Sequence, residues 1–208
     1  MSPPIPLTPE TLAHGARILS RSDRDLARIV KDWGLPPMWA RKAGFSTLIH
    51  IILEQQVSLA SARAAFNRLC EVASPLTPTR FLELDDAMLK AIGFSRQKTG
   101  YGRHLARAVL DGDLNLRALR SKDDETVGTE LLRVKGIGRW SADIYLLMAL
   151  RRPDVWPKGD LALAVAAQRV KRLTSRPTPD ELEAVSAAWR PWRAVAARML
   201  WHYYLSDR

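Results

Sequence analysis

Residues 131–142 read Leu-Leu-Arg-Val-Lys-Gly-Ile-Gly-Arg-Trp-Ser-Ala, and further on comes Trp156-Pro157-Lys158-Gly159-Asp160-Leu161. The first stretch closes one helix, turns through Gly136-Ile137-Gly138 and opens another. Peptides with small or absent side chains at a helix start expose N–H groups that attract a phosphate oxygen. Lys135, Gly136, Gly138 and Arg139 are therefore candidate contacts to a nucleic-acid backbone, and the charge of Lys158 adds it to that set. The second stretch places one carboxylate, Asp160, at the next helix start, where the helix dipole favours negative charge. A fixed carboxylate can stabilise positive charge developing on a substrate and orient an attacking water. A unit charge pair ~4 Å apart at an effective dielectric of about 20 is worth about 4 kcal/mol, roughly a thousandfold in rate. An aspartate at this position is also an ordinary N-cap, and the two roles are compatible. Asp143, three residues beyond Trp140, is the rival carboxylate; in mid-helix it reads as solvated or ion-paired.

The elements that must position these groups are all helical. Thr8-Pro9-Glu10 opens a first helix with a capping residue and proline at the first helical position. Ser22 is expected to cap a second that runs to Trp33, where Gly34-Leu-Pro-Pro breaks it. From Phe45 to about Glu71 apolar residues recur at helical spacing, which predicts one long helix. Further helices are expected near Thr79–Ala91 and Arg96–Leu110, with a short turn at Leu114–Leu119. Asp124–Val134 and Arg139–Leu150 make the hairpin pair, and Asp160–Leu173 is the next helix. Thr178-Pro-Asp-Glu181 is a capping box, and Pro191 opens the last helix to Leu205. Strand-type alternation is missing throughout. The fold class is all-α.

Composition narrows the partners. Of 208 residues, 32 are Lys or Arg against 22 acids, a net charge of +10. Between Arg133 and Arg176 ten basic residues face only Asp143, Asp154 and Asp160, so the excess is concentrated around the glycine turn and the candidate acid. That favours a polyanionic partner. Cys70 is the only cysteine, which fits a reduced compartment and excludes an internal disulfide and a four-cysteine iron–sulfur cluster. His14, His50, His104 and His202 lack metal-ligand spacing. The N-terminus has neither the basic nor the apolar region of a signal peptide, and no apolar run is long enough to span a membrane.

A Gly-hydrophobic-Gly turn alone also ends many ordinary helices. Together with Gly159-Asp160-Leu161 and the tail Trp189-Arg190-Pro191-Trp192-Arg193, it resembles the helix-hairpin-helix DNA glycosylases, in detail the AlkA-type 3-methyladenine DNA glycosylases, over about residues 45–205. The resemblance implies a single compact unit, 1–208, of two helical lobes with an active-site cleft between them. One lobe would hold about 45–143, including the hairpin 124–150; the other would join 1–44 to 144–208. It implies a compact form without the β-domain that precedes this core in longer members. The implied function is monofunctional base excision repair of alkylation damage. Double-stranded DNA carrying a damaged base is bound, the nucleotide is flipped, and the N-glycosidic bond of an alkylated purine (3-methyladenine, 7-methylguanine) is hydrolysed to leave an abasic site. Asp160 takes the catalytic position.

Trp140 stands where glycosylases with lyase activity carry a nucleophilic lysine, so water is the expected nucleophile. Trp140 and Trp201 match aromatic positions of the base pocket, where indoles prefer cationic alkylated purines. One turn after Trp140 such proteins can present a tyrosine, and this chain has Ile144. Gln55-Gln56-Val57-Ser58 matches the segment that fills the hole left by a flipped nucleotide; Gln56 is the first choice for the wedge and Gln55 the second. No cofactor is implied for catalysis. A sodium or potassium ion on the backbone carbonyls of Leu132, Val134 and Ile137 is, and so are a monomer and a cytoplasmic, DNA-associated location. Two rival readings stay open at this point: a helix-hairpin-helix protein that binds DNA without catalysis, and a glycosylase for deaminated or oxidised purines.

Overall fold

The computed structural model describes residues 4–207, and every regular element among them is helical. Met1–Pro3 and Arg208, which fall within the expected spans, lie outside the described residues. The chain divides into two units. One contains residues 41–145; the other joins residues 4–40 to 146–207. No described helix is long and apolar enough to cross a membrane.

The first unit is built around α3 (Phe45–Glu54). Phe45, Leu48, Ile49, Ile51, Ile52 and Leu53 are all buried, so most of this helix's surface is apolar and it lies at the centre. Each fully buried aliphatic side chain of this kind contributes about 1.5–3 kcal/mol. Around it pack α4 (Leu59–Val72), α7 (Arg96–Leu110) and α9 (Arg139–Ile144). Short helices α5 (Pro78–Glu83) and α6 (Asp86–Ile92) and the hairpin's first helix, α8 (Asp124–Leu132), complete the unit.

The second unit contains α1 (Pro9–Ser22), α2 (Arg24–Trp33), α10 (Leu161–Val170), α11 (Pro179–Ser186) and α12 (Arg193–Ser206). The run Ala194–Trp201 of α12 is buried without interruption and packs against α1, α2 and α10. Arg198, buried in that run, is satisfied by three carbonyls: Met38, Ala194 and Leu147. Burial pushes its pKa down to about 10, so the guanidinium stays charged at neutral pH.

Three of the helix boundaries that differ from the expectation do so because a short polar side chain captures backbone N–H groups. The continuous helix expected from Phe45 to Glu71 is two helices. Ser58 accepts from the Ser61 amide and starts α4, and the two glutamines form the connection instead of lying mid-helix. The helix expected over Thr79–Ala91 is likewise split, with Asp85 capping α6 through the Met88 amide at 2.7 Å. Ser22 ends α1, and Asp23 is the cap of α2. Asp23 also accepts from Lys171 Nζ and Trp189 Nε1, tying α2 to the end of α10 and to the Trp189 turn.

Candidate active site

In the first unit the hairpin turn runs from the end of α8 to Gly138. Gly136 has φ +98, and a Cβ there would stand 2.2 Å from Tyr101 Cγ of α7. Both the backbone and the space therefore require glycine. Gly138 is extended (φ −91, ψ 179) and caps α9 with no side-chain hydrogen bond, which leaves the first amides of α9 uncapped by side chains. Lys135, Gly138 and Arg139 are exposed, whereas Val134 and Ile137 turn their side chains into the core. The turn is thus pinned by apolar residues and presents charge and backbone outward. Arg139 donates from Nε to both carboxylate oxygens of Asp143 and remains 63% exposed. Asp143 is buried and neutralised by that pair, so the rival carboxylate is a structural partner of the arginine.

The Gln55–Ser58 connection lies beside this turn. Gln55 Nε2 donates to the Gly136 carbonyl at 2.9 Å and to Ser141 Oγ at 3.0 Å. Gln56 is exposed and has φ +57, a left-handed backbone uncommon for a residue with a Cβ. The structure thereby separates the two wedge candidates: Gln55 is committed to the hairpin and Gln56 protrudes. Trp140 is half-buried on α9. Ile144 is 2% exposed and packs as core, so its contribution to any base contact is small. After Ile144 the helix widens into a single π-helical turn over Tyr145–Ala149.

In the second unit Asp160 is the N-cap of α10 (φ −67, ψ 117). Its Oδ1 accepts from the Leu163 amide at 2.9 Å and from Trp201 Nε1 at 3.1 Å. Two donors on one oxygen, one from its own helix and one from α12, fix the orientation of the carboxylate. Trp201 is buried, and its ring is met edge-on by Trp39 at 6.5 Å between centroids. Trp39 went unnoticed in the sequence. It sits at φ +45 just after the Met38 carbonyl held by Arg198, a placement that only the packed α12 creates.

The expected phosphate contact Lys158 lies beside two acids in this structure. Its ammonium is held at 2.6 Å by both Asp180 and Glu183 of α11. Hydrogen bonds donated to the two carboxylates, with their charge, raise the Lys158 pKa, so the group is a poor nucleophile as well.

Residues 49–192 match the model of the HhH-GPD superfamily base excision DNA repair protein. The chain belongs to the HhH-GPD superfamily. The matched span starts within α3, includes the Gln55–Ser58 connection, the hairpin and Asp160, and stops at Trp192, before Trp201. DNA-3-methyladenine glycosylase 1 of Schizosaccharomyces pombe is 28% identical over 188 residues, covering 88% of this chain and 82% of that protein. The putative DNA-3-methyladenine glycosylase YfjP of Bacillus subtilis is 27% identical over 86% of this chain, which spans 66% of the relative's length. The structure of S. pombe 3-methyladenine DNA glycosylase Mag1 in complex with abasic DNA superimposes with a TM-score of 0.85 at 29% identity, covering 94% of this chain and 98% of that one. Its helical architecture is the one found here.

Proposed function

We propose that this protein is a monofunctional DNA glycosylase that hydrolyses the N-glycosidic bond of alkylated purines such as 3-methyladenine and 7-methylguanine in base excision repair. The observation that carries the reading is the Asp160 carboxylate, held by the Leu163 amide and the Trp201 indole in a member of a base excision repair superfamily. Pure DNA binding needs no carboxylate fixed at two points. The relatives named for 3-methyladenine support the same substrate class.

In this reading the Gly136–Gly138 turn and the exposed Lys135 and Arg139 receive the DNA backbone, and Gln56 fills the duplex as the damaged nucleotide leaves it. Trp201 offers an indole face to a cationic purine. Asp160 then stabilises positive charge on the deoxyribose as the base departs and orients the water that completes the reaction. Trp140, in the place of a lyase lysine, and the ion-paired Lys158 both favour water as the nucleophile. A sodium or potassium ion on the Leu132, Val134 and Ile137 carbonyls is part of the proposal. Carbonyl oxygens suit such an ion, and Val134 also accepts the Ile137 amide at 3.0 Å. The ion would strengthen phosphate binding and takes no part in bond cleavage.

The test is base release from duplex DNA containing 7-methylguanine. Free base and an alkali-labile abasic site, with no strand cleavage before alkali, are expected. Tight binding without release would leave the non-catalytic reading in its place. Release of 8-oxoguanine or hypoxanthine but not of methylated purines would shift the substrate class.

A further inference from the structure

Three consecutive residues at the C-terminal end of α3 are each fastened to a different neighbour in the same unit. The Leu53 carbonyl accepts from Lys98 Nζ of α7 at 2.7 Å. The buried Glu54 carboxylate takes both terminal nitrogens of Arg41, at 2.8 and 2.7 Å. Gln55 spends both amide protons on the hairpin, one on the Gly136 carbonyl and one on Ser141 Oγ. The next residue, Gln56, is exposed and left-handed. The chain passes from a fastened residue to an exposed one in a single step.

Helix ends leave their last carbonyls without intrahelical donors, and water ordinarily satisfies them. Here a long side chain from another helix does so, at the entropic cost of ordering a lysine. Burial lowers the Lys98 pKa, which marks partly dry surroundings for that contact. A left-handed glutamine is itself a strained state that persists only when its surroundings hold it. A wedge also needs a rigid base, because a base stack closing on the vacated space pushes it back.

We propose that Lys98, Gln55 and the Arg41–Glu54 pair form a brace that fixes the backbone of residues 53–55, so that Gln56 enters the duplex at a set position relative to the phosphate-binding turn. These are positioning residues, since they act through Gln56. The inference rests on the reading of Gln56 as the wedge. It makes Lys98 a conformational support and not a phosphate contact, although its charge alone would suggest the latter.

The experiment measures single-turnover release of 7-methylguanine from duplex and from single-stranded DNA, and reads the ratio of the two rates. Lys98→Met keeps the aliphatic stem and removes the donors; Gln55→Ala removes the amide. Each is expected to lower the duplex-to-single-strand ratio about five- to tenfold, with Lys98→Arg restoring most of it. In a Gln56→Ala background neither is expected to lower it further, because residues that act through one side chain are not additive. A loss that persists in that background, with a reduced salt dependence of binding, identifies Lys98 as a phosphate contact and overturns the brace. A ratio lowered by Gln56→Ala but untouched by Lys98→Met and Gln55→Ala overturns the brace alone. A ratio untouched by Gln56→Ala overturns the wedge reading and the brace with it. Should Lys98→Met not fold, Gln55→Ala, in the half-exposed connection, carries the same test.

Discussion

Asp160→Asn removes a negative charge while leaving the architecture around it almost unchanged. The Leu163 amide and Trp201 Nε1 both donate to Oδ1, at 2.9 and 3.1 Å, and an asparagine Oδ1 accepts both. Asparagine is as good an N-cap as aspartate, whereas loss of the cap to alanine costs about 1 kcal/mol. Stability is therefore expected to change by less than about 0.5 kcal/mol, which for a chain of this size is about 2 °C or less in Tm. Chemistry is expected to suffer far more. A preorganised partner facing developing charge is worth about 2.7–4 kcal/mol, or roughly 10²–10³ in rate. Trp201→Phe gives an internal comparison: the charge stays, but one of the donors orienting it is gone. A loss of about tenfold, roughly 1.4 kcal/mol, is expected there. Single-turnover release of 7-methylguanine and of hypoxanthine reads the effect. The cationic base is the better leaving group and should lose less. Circular-dichroism melts and duplex affinity run alongside. Two results refute the reasoning: an Asp160→Asn rate within about threefold of wild type, or a rate loss accompanied by a Tm fall of about 5 °C or more, which would make Asp160 a structural cap only.

Three further outcomes follow from the geometry. Gly136→Ala meets both a φ of +98 and a Cβ position 2.2 Å from Tyr101 Cγ, so a loss of about 3 kcal/mol in stability and weakened binding to every duplex are expected by denaturant titration and fluorescence anisotropy. Burial raises the Asp23 pKa, but hydrogen bonds from Lys171 and Trp189, the Lys171 charge and the Leu26 amide outweigh it and hold the carboxyl below its ordinary value. A depressed carboxylate contributes stability above its unfolded pKa of about 3.9 and loses it as pH falls through the folded value. Asp23→Asn should therefore lower stability at pH 7, and the gap from wild type should narrow below about pH 4 in urea titrations. Borohydride should trap no covalent DNA adduct, and Lys158→Met should retain base release, since that ammonium already belongs to Asp180 and Glu183; an adduct lost on Lys158→Met would restore lyase chemistry to consideration.

Much of this was legible in the chain itself, because the signals are local. Glycines at 136 and 138, the aspartate at 160 and the capping box at Thr178 act through their own backbone, and each appears where its type and spacing place it. The all-helical architecture follows from apolar spacing that α3 and α12 carry on nearly every side. Other features depend on partners far away in sequence. The break at Gln55–Ser58 was invisible to periodicity, since apolar residues keep their helical spacing across it while Ser58 and the hairpin decide the backbone. Gln55 and Gln56 are identical as letters; only the contacts 81 and 86 residues away, to Gly136 and Ser141, make one an anchor and the other a protruding side chain. The positive charge of Lys158 is readable from sequence, whereas the α11 acids beside it are brought near only by folding. The Trp201 indole on Asp160, across 41 residues, is of the same kind. Residue type sets what a group can do, and tertiary packing decides which partner it does it with, because hydrogen bonds and ion pairs act over a few ångströms of space and not along the chain.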